Sequence, residues 1–543
     1  MIFSLLLATG SLAQPKIADN HSDSVLSANA TAMSLENIIG RLPGAKLKQI
    51  ANITEDLEIV AGADALPVLT ALLSGELFYI KANKQIVIAK KMADGKQFQI
   101  TDPVSSEDLG RIDNKSIKKI RTNNKLRSKL RTTIARLSLS AKNVETRQAA
   151  VLKLMEKLTT DNVSLLQAAK ASEKNADILQ SIQLALAIYQ LESGDKASKL
   201  AAIDLLDGNL QPVVKNKLKQ AAEEDGDDTV RQAAATVLKN IEGKIKFYEY
   251  LETLFFGLSL GSVLLLVAAG LAITFGVMGV INMAHGEMIM LGAYTTYVVQ
   301  LLMPDNIALS IVVAIPAAFI VSALFGVLIE RGVIQFLKGR PLETLLATFG
   351  ISLILQQLVR TIFSPLNRQV ATPEFMSGSL EINAVFSITY NRLYILAFAL
   401  LVFFLLQLIL KKTALGLNVR AVSQNRAMAK AMGIRTEWVD AMTFGLGSGI
   451  AGLAGVALSQ ITNVGPNLGQ SYIIDSFMVV VFGGVGNLWG TLVGGFSLGV
   501  LNKFLEPATG AVLANIVVLV GIILFIQKRP RGLFPQKGRA AES

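Results

Sequence analysis

Charged residues recur every few positions up to about Glu252, and beyond Leu254 apolar runs of about twenty residues follow one another. The runs fall near 254–280, 286–303, 307–331, 344–363, 393–410, 441–462, 473–500 and 511–526. Backbone groups in hydrocarbon have no water to bond, so each run is expected as a helix closed on its own hydrogen bonds. Upstream, residues 32–74 carry helical spacing. Residues 77–100 alternate as a small hairpin would, with Phe78 and Ile80, Ile86 and Ile88, then Phe98 and Ile100, and a turn at Asp94-Gly95. After Asp113 everything reads helical. The fold class expected is all-α: a polytopic transmembrane helical part preceded by a mostly α-helical soluble domain.

Two upstream segments resemble each other, Glu145-Thr-Arg-Gln-Ala-Ala-Val-Leu152 and Asp228-Thr-Val-Arg-Gln-Ala-Ala-Ala235, with Arg147 and Arg231 separated by 84 positions. Half of that spacing falls in the range of HEAT-type repeats, and a weaker copy, Ala197 to Leu206, lies between them. This predicts a HEAT-like α-solenoid of about three units, a binding scaffold; the alternative is a generic helical bundle whose Ala and Leu fill helix faces.

Composition sharpens the division. Hydrophobic residues make up 51% of 543 and charged residues 17%, the average of two unlike halves. The net charge of +11 is no phosphate footprint, because the basic residues of the second half gather in short clusters: Arg331, Lys338 and Arg340, then Lys411 to Arg435, then Lys528, Arg529 and Arg531. Nucleic acid is therefore not an expected partner. The absence of cysteine excludes disulfides, thiol catalysis and Cys-held metals. Residues 1–13 end in small residues as an export signal does, 14–243 form the soluble domain, 244–253 a linker, 254–535 the membrane domain and 536–543 a tail. His21 reads as solvated.

Basic loops stay on the inner side, so Arg331 inside places Glu252, three crossings earlier, outside, in agreement with an exported N-terminal domain. Eight full crossings would then leave Lys528 outside. One segment must re-enter or count twice, and 473–500 is the candidate, since Gly483-Gly-Val-Gly-Asn487 interrupts it.

Polar groups inside apolar segments cost free energy and point to function. Asn282, His285 and Glu287, between Gly279 and Gly292, are the clearest group. Asn282 and His285 would share a helix face, and Gly286 would break the chain into two half-helices. They either line a pathway or cap and pack a turn between helices. Thr348, Gln356 and Gln357 are further candidates, although a glutamine pair also suits helix–helix bonding. The small residues of Gly445 to Gly455 nominally match a dinucleotide fingerprint, but no strand precedes them, and their four-residue spacing fits close helix packing.

No Gly-x-x-x-x-Gly-Lys-Ser/Thr loop is present, so nucleotide hydrolysis by that route must come from a partner. The inner loop 411–437 reads as a short amphipathic helix, basic on one side and ended by Gly433, suited to hold that partner. No paired carboxylates or metal-ligand cluster marks an enzyme.

The residues now carry a resemblance. Gly257-Leu-Ser-Leu-Gly-Ser262, Gly279-Val-Ile-Asn-Met-Ala-His-Gly-Glu287, Thr344-Leu-Leu-Ala-Thr-Phe-Gly350 and Phe482-Gly-Gly-Val-Gly-Asn-Leu-Trp-Gly490 resemble the permeases of ATP-binding-cassette importers for branched-chain amino acids. The resemblance covers nearly all of 254–535. Arg340 to Leu345, Arg360 to Arg368 and Asp475 to Gly490 are most similar to the urea-type branch, which also carries a long N-terminal extension.

The resemblance implies a multi-pass permease of the bacterial inner membrane, with its N-terminal domain periplasmic and no cofactor. Its partners would be a second related permease subunit, two cytoplasmic ATPases and a periplasmic substrate-binding protein. It implies a pathway lined by Asn282, His285, Glu287, Thr348, Gln356 and Asn487, and ATPase coupling through Gly416, Arg420, Ala421, Asn425, Ala429, Gly433 and Ile434. Urea is the expected solute, with branched-chain amino acids or short amides the alternative, and a membrane-anchored sensor or scaffold a distant one.

Overall fold

The computed structural model describes residues 35–92, 97–155 and 158–534. The expected signal peptide, His21, the Asp94-Gly95 turn and the 536–543 tail lie outside the described residues. The chain divides into two compact units, Met1–Asn209 with Val213–Asn240, and Leu210–Pro212 with Ile241–Ser543.

In the first unit, α1 (Leu47–Ala61) and α2 (Leu66–Ser74) are separated by a 3-10 turn at Gly62–Ala65. Among the described residues eight helical stretches are long and apolar enough to cross a membrane, and Leu47–Ser74 is one. It is broken at Gly62, however, and packs as an elbow that buries Leu57, Leu69 and Leu72 in the core of its own unit.

The hairpin is part of a five-stranded antiparallel sheet. Strands β1 (Leu77–Ile80), β2 (Ile86–Lys91), β3 (Gln97–Thr101), β4 (Asp108–Asp113) and β5 (Ile117–Lys119) are ordered β4-β3-β2-β1-β5. The expectation of helix throughout after Asp113 is corrected by β5, which pairs Ile117 with Ile80. Edge strands β4 and β5 bury almost nothing, so they lack the alternation that marks β2 and β3.

Six helices follow: α3 (Asn124–Leu139), α4 (Val144–Met155), α5 (Thr160–Ser172), α6 (Ala176–Ser193), α7 (Lys196–Leu206) and α8 (Pro212–Glu224), before α9 (Asp228–Met278). They repeat, but with a period of 52 residues. Helix-starting Asn143 and Asp195 are 52 apart, and so are their partners in role, Asn175 and Asp227. Arg147 bonds Glu173 at 2.7 Å and, 52 residues on, Lys199 bonds Asp225 at 2.6 Å. The buried positions coincide: Ala150 with Ala202, Val151 with Ile203, Leu154 with Leu206, and Leu166 with Leu218. The unit is thus three helices, α4–α6 and then α7–α9. Asn123, Leu126 and Leu130 place α3 as the last helix of a preceding unit. Matching Arg147 to Arg231 paired the first helix of one unit with the last of the next, because both arginines reach back to a carbonyl six residues earlier.

Residues 244–253, expected as a linker, lie within the single 51-residue helix α9. In the second unit come α10 (His285–Leu302), α11 (Ile307–Gly332), α12 (Pro341–Phe363), a hairpin of β6 (Ser379–Asn383) and β7 (Phe386–Thr389), and α13 (Tyr390–Lys412). Short helices α14 (Ala414–Gln424) and α15 (Arg426–Ala431) precede α16 (Thr436–Ser459), α17 (Gln470–Gly483), α18 (Leu488–Thr509) and α19 (Ala511–Lys528).

Helix α16 is the axis of this unit, with 20 of its 24 residues buried. Its glycines are where other helices come close: a Cβ on Gly447 would sit 2.7 Å from Gly270 O, on Gly449 2.6 Å from the Phe319 ring, on Gly452 2.7 Å from Ala318 O, and on Gly455 2.7 Å from Ala293 N. Side-chain-free positions let α9, α10 and α11 approach backbone to backbone, as the packing reading requires and a nucleotide loop would not.

The segment 473–500 counts twice. Gly484 and Gly486 adopt positive φ (+104° and +78°), a turn that residues with Cβ rarely make, and α17 and α18 run antiparallel from it, with a Cβ on Gly494 reaching Val479 O at 2.9 Å. Phe482 O and Gly483 O, left without helical partners, accept from Leu533 N and Phe534 N. This turn therefore lies at the end marked by Arg529 and Arg531; among the described residues of this unit seven helices, α9, α11, α12, α13, α16, α18 and α19, are long and apolar enough to cross a membrane, with α10 and α17 between them.

Candidate functional site

The chain is broken at membrane depth in two places. Helix α9 ends at Met278, and 279–284 are not helical. His285, which opens α10, places its ring against Val267 O, 3.0 Å away, and beside Gly270. Val267 lies eleven residues, about 16 Å, back along α9. Residues 279–284 therefore run back alongside α9 as non-helical chain, and α10 starts about half a crossing in. Helix α17 starts at the same level: a Cβ on Gly286 would meet Gly469 O at 2.8 Å and Gln470 N at 3.4 Å. Gly286 is thus a contact point inside the first turn of α10, not the expected break, and Asn282 sits on non-helical chain rather than on a helix face shared with His285.

Non-helical chain at that depth needs hydrogen-bond partners from side chains. Asn282 Oδ1 accepts from Ala284 N at 3.0 Å, and Thr348 Oγ1 accepts from Met283 N at 3.2 Å. The partner of the His285 ring is a carbonyl, so Nε2 donates and Nδ1 is left as a bare acceptor. Glu287 Oε1 accepts from Ser352 Oγ and from Gln356 Nε2, each at 2.8 Å. Asn282, His285 and Glu287 are all but fully buried. One polar atom on each lacks a partner: Asn282 Nδ2, His285 Nδ1 and Glu287 Oε2.

Of the six pathway candidates, Thr348 and Gln356 of α12 thus reach Met283 and Glu287, while Asn282 bonds within its own loop and His285 turns to α9. Ser352 was missed. Its signal is a polar file at four-residue spacing along the helix, Thr344, Thr348, Ser352, Gln356 and Arg360, which sets each member one turn from the next in a slowly winding stripe. Asn487 stands apart: Oδ1 accepts from Trp489 N and Gly490 N as the N-cap of α18, and Nδ2 donates to Phe534 O at 3.3 Å. Gln357 is exposed.

At the basic end, the expected single amphipathic helix is two. Asn425, with extended backbone, ends α14 and caps α15 by accepting from Met428 N at 2.9 Å. Gly416 lets α14 press on the end of α13, where a Cβ would fall 2.6 Å from Leu410 Cα, and Arg420 donates to Leu410 O. Gly433 (φ +86°) terminates α15, with Ile434 N bonded to Ala429 O. Ala429 is buried against Val419, Val422 and Val439, with Ala421 and Ile434 packed on them. Leu417, Met428 and Met432 are left facing outward, 61%, 60% and 76% exposed. Arg426 grips Asp440 through two hydrogen bonds of 2.7 and 2.9 Å, and Lys338 bridges Asp440 (2.6 Å) and Glu330 (3.4 Å), a buried ion cluster that fixes α15 to α16.

Helices interrupted at membrane depth around a buried polar cluster define a polytopic permease. Residues 253–527 match the family described as branched-chain amino acid transport system / permease component. The chain is 32% identical over 299 residues to the high-affinity branched-chain amino acid transport system permease protein BraD of Pseudomonas aeruginosa, covering 53% of this chain and 96% of that protein. It is 28% identical over 298 residues to LivH of Escherichia coli, at the same coverages. It is 26% identical over 284 residues to the probable LivH of Methanocaldococcus jannaschii, covering 50% and 88%. No solved structure matches. The chain belongs to the branched-chain amino acid transport permease family.

Proposed function

We propose that this permease moves urea, along the polar face of α12 and past the start of α10, as one subunit of an ATP-driven importer. The observation that carries the reading is the trio of unpartnered buried atoms, Asn282 Nδ2, His285 Nδ1 and Glu287 Oε2. Urea offers one carbonyl acceptor and two amino donors, and a set of one donor and two acceptors matches it in kind. A second permease subunit, two cytoplasmic ATPases and a periplasmic binding protein complete the importer, in the inner membrane with the N-terminal domain outside. Helices α14 and α15 carry the ATPase stroke through Leu417, Met428 and Met432, while Gly416, Arg420, Asn425 and Gly433 hold their shape. The transmembrane helices then reorient by alternating access.

Branched-chain amino acids are the second reading, favoured by the similarity to BraD and LivH, permeases of branched-chain amino acid transport. Uptake of labelled urea and of labelled leucine, in cells with and without this chain, decides. Urea uptake lost on deletion and restored by re-expression supports the first. Intact urea uptake with leucine uptake lost moves the solute to amino acids and keeps the mechanism.

A further inference from the structure

The polar file of α12 ends at Arg360, one turn beyond Gln356, and there the molecule opens into a cleft of about 500 Å³ lined by Arg360, Asn367, Asn463, Asn467 and Ser471, with Pro365, Gly465, Pro466 and Leu468. Its walls are tied together. Arg368 and Val464 exchange backbone hydrogen bonds of 2.7 and 2.8 Å, Arg368 Nη2 bonds Phe363 O at 3.0 Å, and Arg360 Nη2 donates to Asn467 Oδ1 at 2.8 Å. Asn367 Oδ1 packs directly against Gly465, so a Cβ there would displace the Asn367 amide. Gly469, which follows directly on cleft residue Leu468, contacts Gly286, the neighbour of Glu287 in the chain.

The lining has no carboxylate. It presents a guanidinium, three side-chain amides and a hydroxyl, so it offers donors to a carbonyl or carboxylate oxygen and amide oxygens to the N–H groups beside it, while nothing in it neutralises an isolated cation. Held walls keep those groups in place before a ligand arrives, which lowers the ordering cost of binding. Arg360 is the only charged side chain of the lining, and its position on the same helix face as Gln356 and Ser352 connects the cleft to the buried Glu287.

We infer that this cleft is an entry subsite of the permease, taking a small solute through a planar group in which an oxygen acceptor is flanked by N–H. The inference rests on the transport reading above. Urea presents that group whole; an α-amino acid presents only a carboxylate to the Arg360 guanidinium, its ammonium standing on a tetrahedral carbon, and the arms of the test separate the two.

The chain has no cysteine, so a single one is an addressable probe. Ser471→Cys, in the full chain assembled with its partners in membranes, is labelled with a membrane-impermeant thiol reagent with and without millimolar urea or leucine. Labelling slows about fivefold once the solute stands at about four times its dissociation constant. The solute that protects identifies the ligand, Arg360→Gln removes the protection, and Ser377→Cys, exposed outside the cleft, stays unprotected. Equal labelling of Ser471→Cys with either solute overturns the subsite, whatever the uptake result. Protection without uptake of either solute would overturn the transport reading and leave the subsite standing.

Discussion

At the residue scale, polar side chains do two different things on either side of Glu252. In the membrane unit Asn282 and Thr348 satisfy backbone donors that hydrocarbon would leave bare. In the first unit Arg147 and Lys199 tie successive helices through Glu173 and Asp225. The hydrogen bond from Arg147, aided by the N–H groups of Asn175 and Lys174, holds the Glu173 carboxyl at about 2, against an ordinary 4.5. A carboxyl held below its unfolded value stabilises fully above pH 4.5 and loses that contribution as pH falls from 4.5 toward 2. Asp225 is lowered in the same direction, first by Lys199. Thermal unfolding of the detergent-solubilised chain, followed on the first unit, is therefore expected to soften below pH 4.5. Arg147→Ala should lower the melting temperature at pH 7 and flatten that acid dependence. An unchanged pH profile in Arg147→Ala would remove the pair from the stability account.

At the scale of elements, long apolar runs and the glycine-rich face of α16 were legible, because burial on every side leaves an unmistakable composition. Edge strands β4 and β5 and the β6–β7 hairpin were not, since their residues face outward and keep no alternation. The repeat was visible but mis-registered. Its visible features are an N-cap and a base four residues later, and these occur at the start of α4, α7 and α9 alike, so that first and last helices of different units look the same. The coupling segment was legible as a place, yet its outward face was not. Residues picked for their spacing, such as Ala429, are buried, and the exposed apolar groups are Leu417, Met428 and Met432. Met428 and Met432 are one turn apart and project without supporting the core. Met428→Glu with Met432→Glu should abolish co-purification of the ATPase and ATP-driven uptake, and leave the melting temperature of the permease within a degree or two. Retained co-purification would place the docking surface elsewhere.

At the scale of the whole molecule, the parity of crossings decides the orientation, and the sequence left it open between a re-entrant segment and a doubled one. Backbone bonds from Leu533 and Phe534 to the end of α17, together with the contact of Gly276 at the end of α9 with Gly486, bring the 484–487 turn to the basic end of the second unit. A re-entrant segment would instead leave that turn inside the bilayer or return it to the opposite side. The difference is open to labelling, because Val485 in the turn is exposed, as is Ser377 between α12 and α13. In intact cells an impermeant thiol reagent should label Ser377→Cys and spare Val485→Cys. After permeabilisation both should react. A doubled 473–500 with Arg331, Lys411 and Lys528 on one side requires that result. Labelling of Val485→Cys from outside would return 473–500 to a re-entrant loop and take with it the continuity from the cleft at Arg360, past Glu287, to the coupling helices.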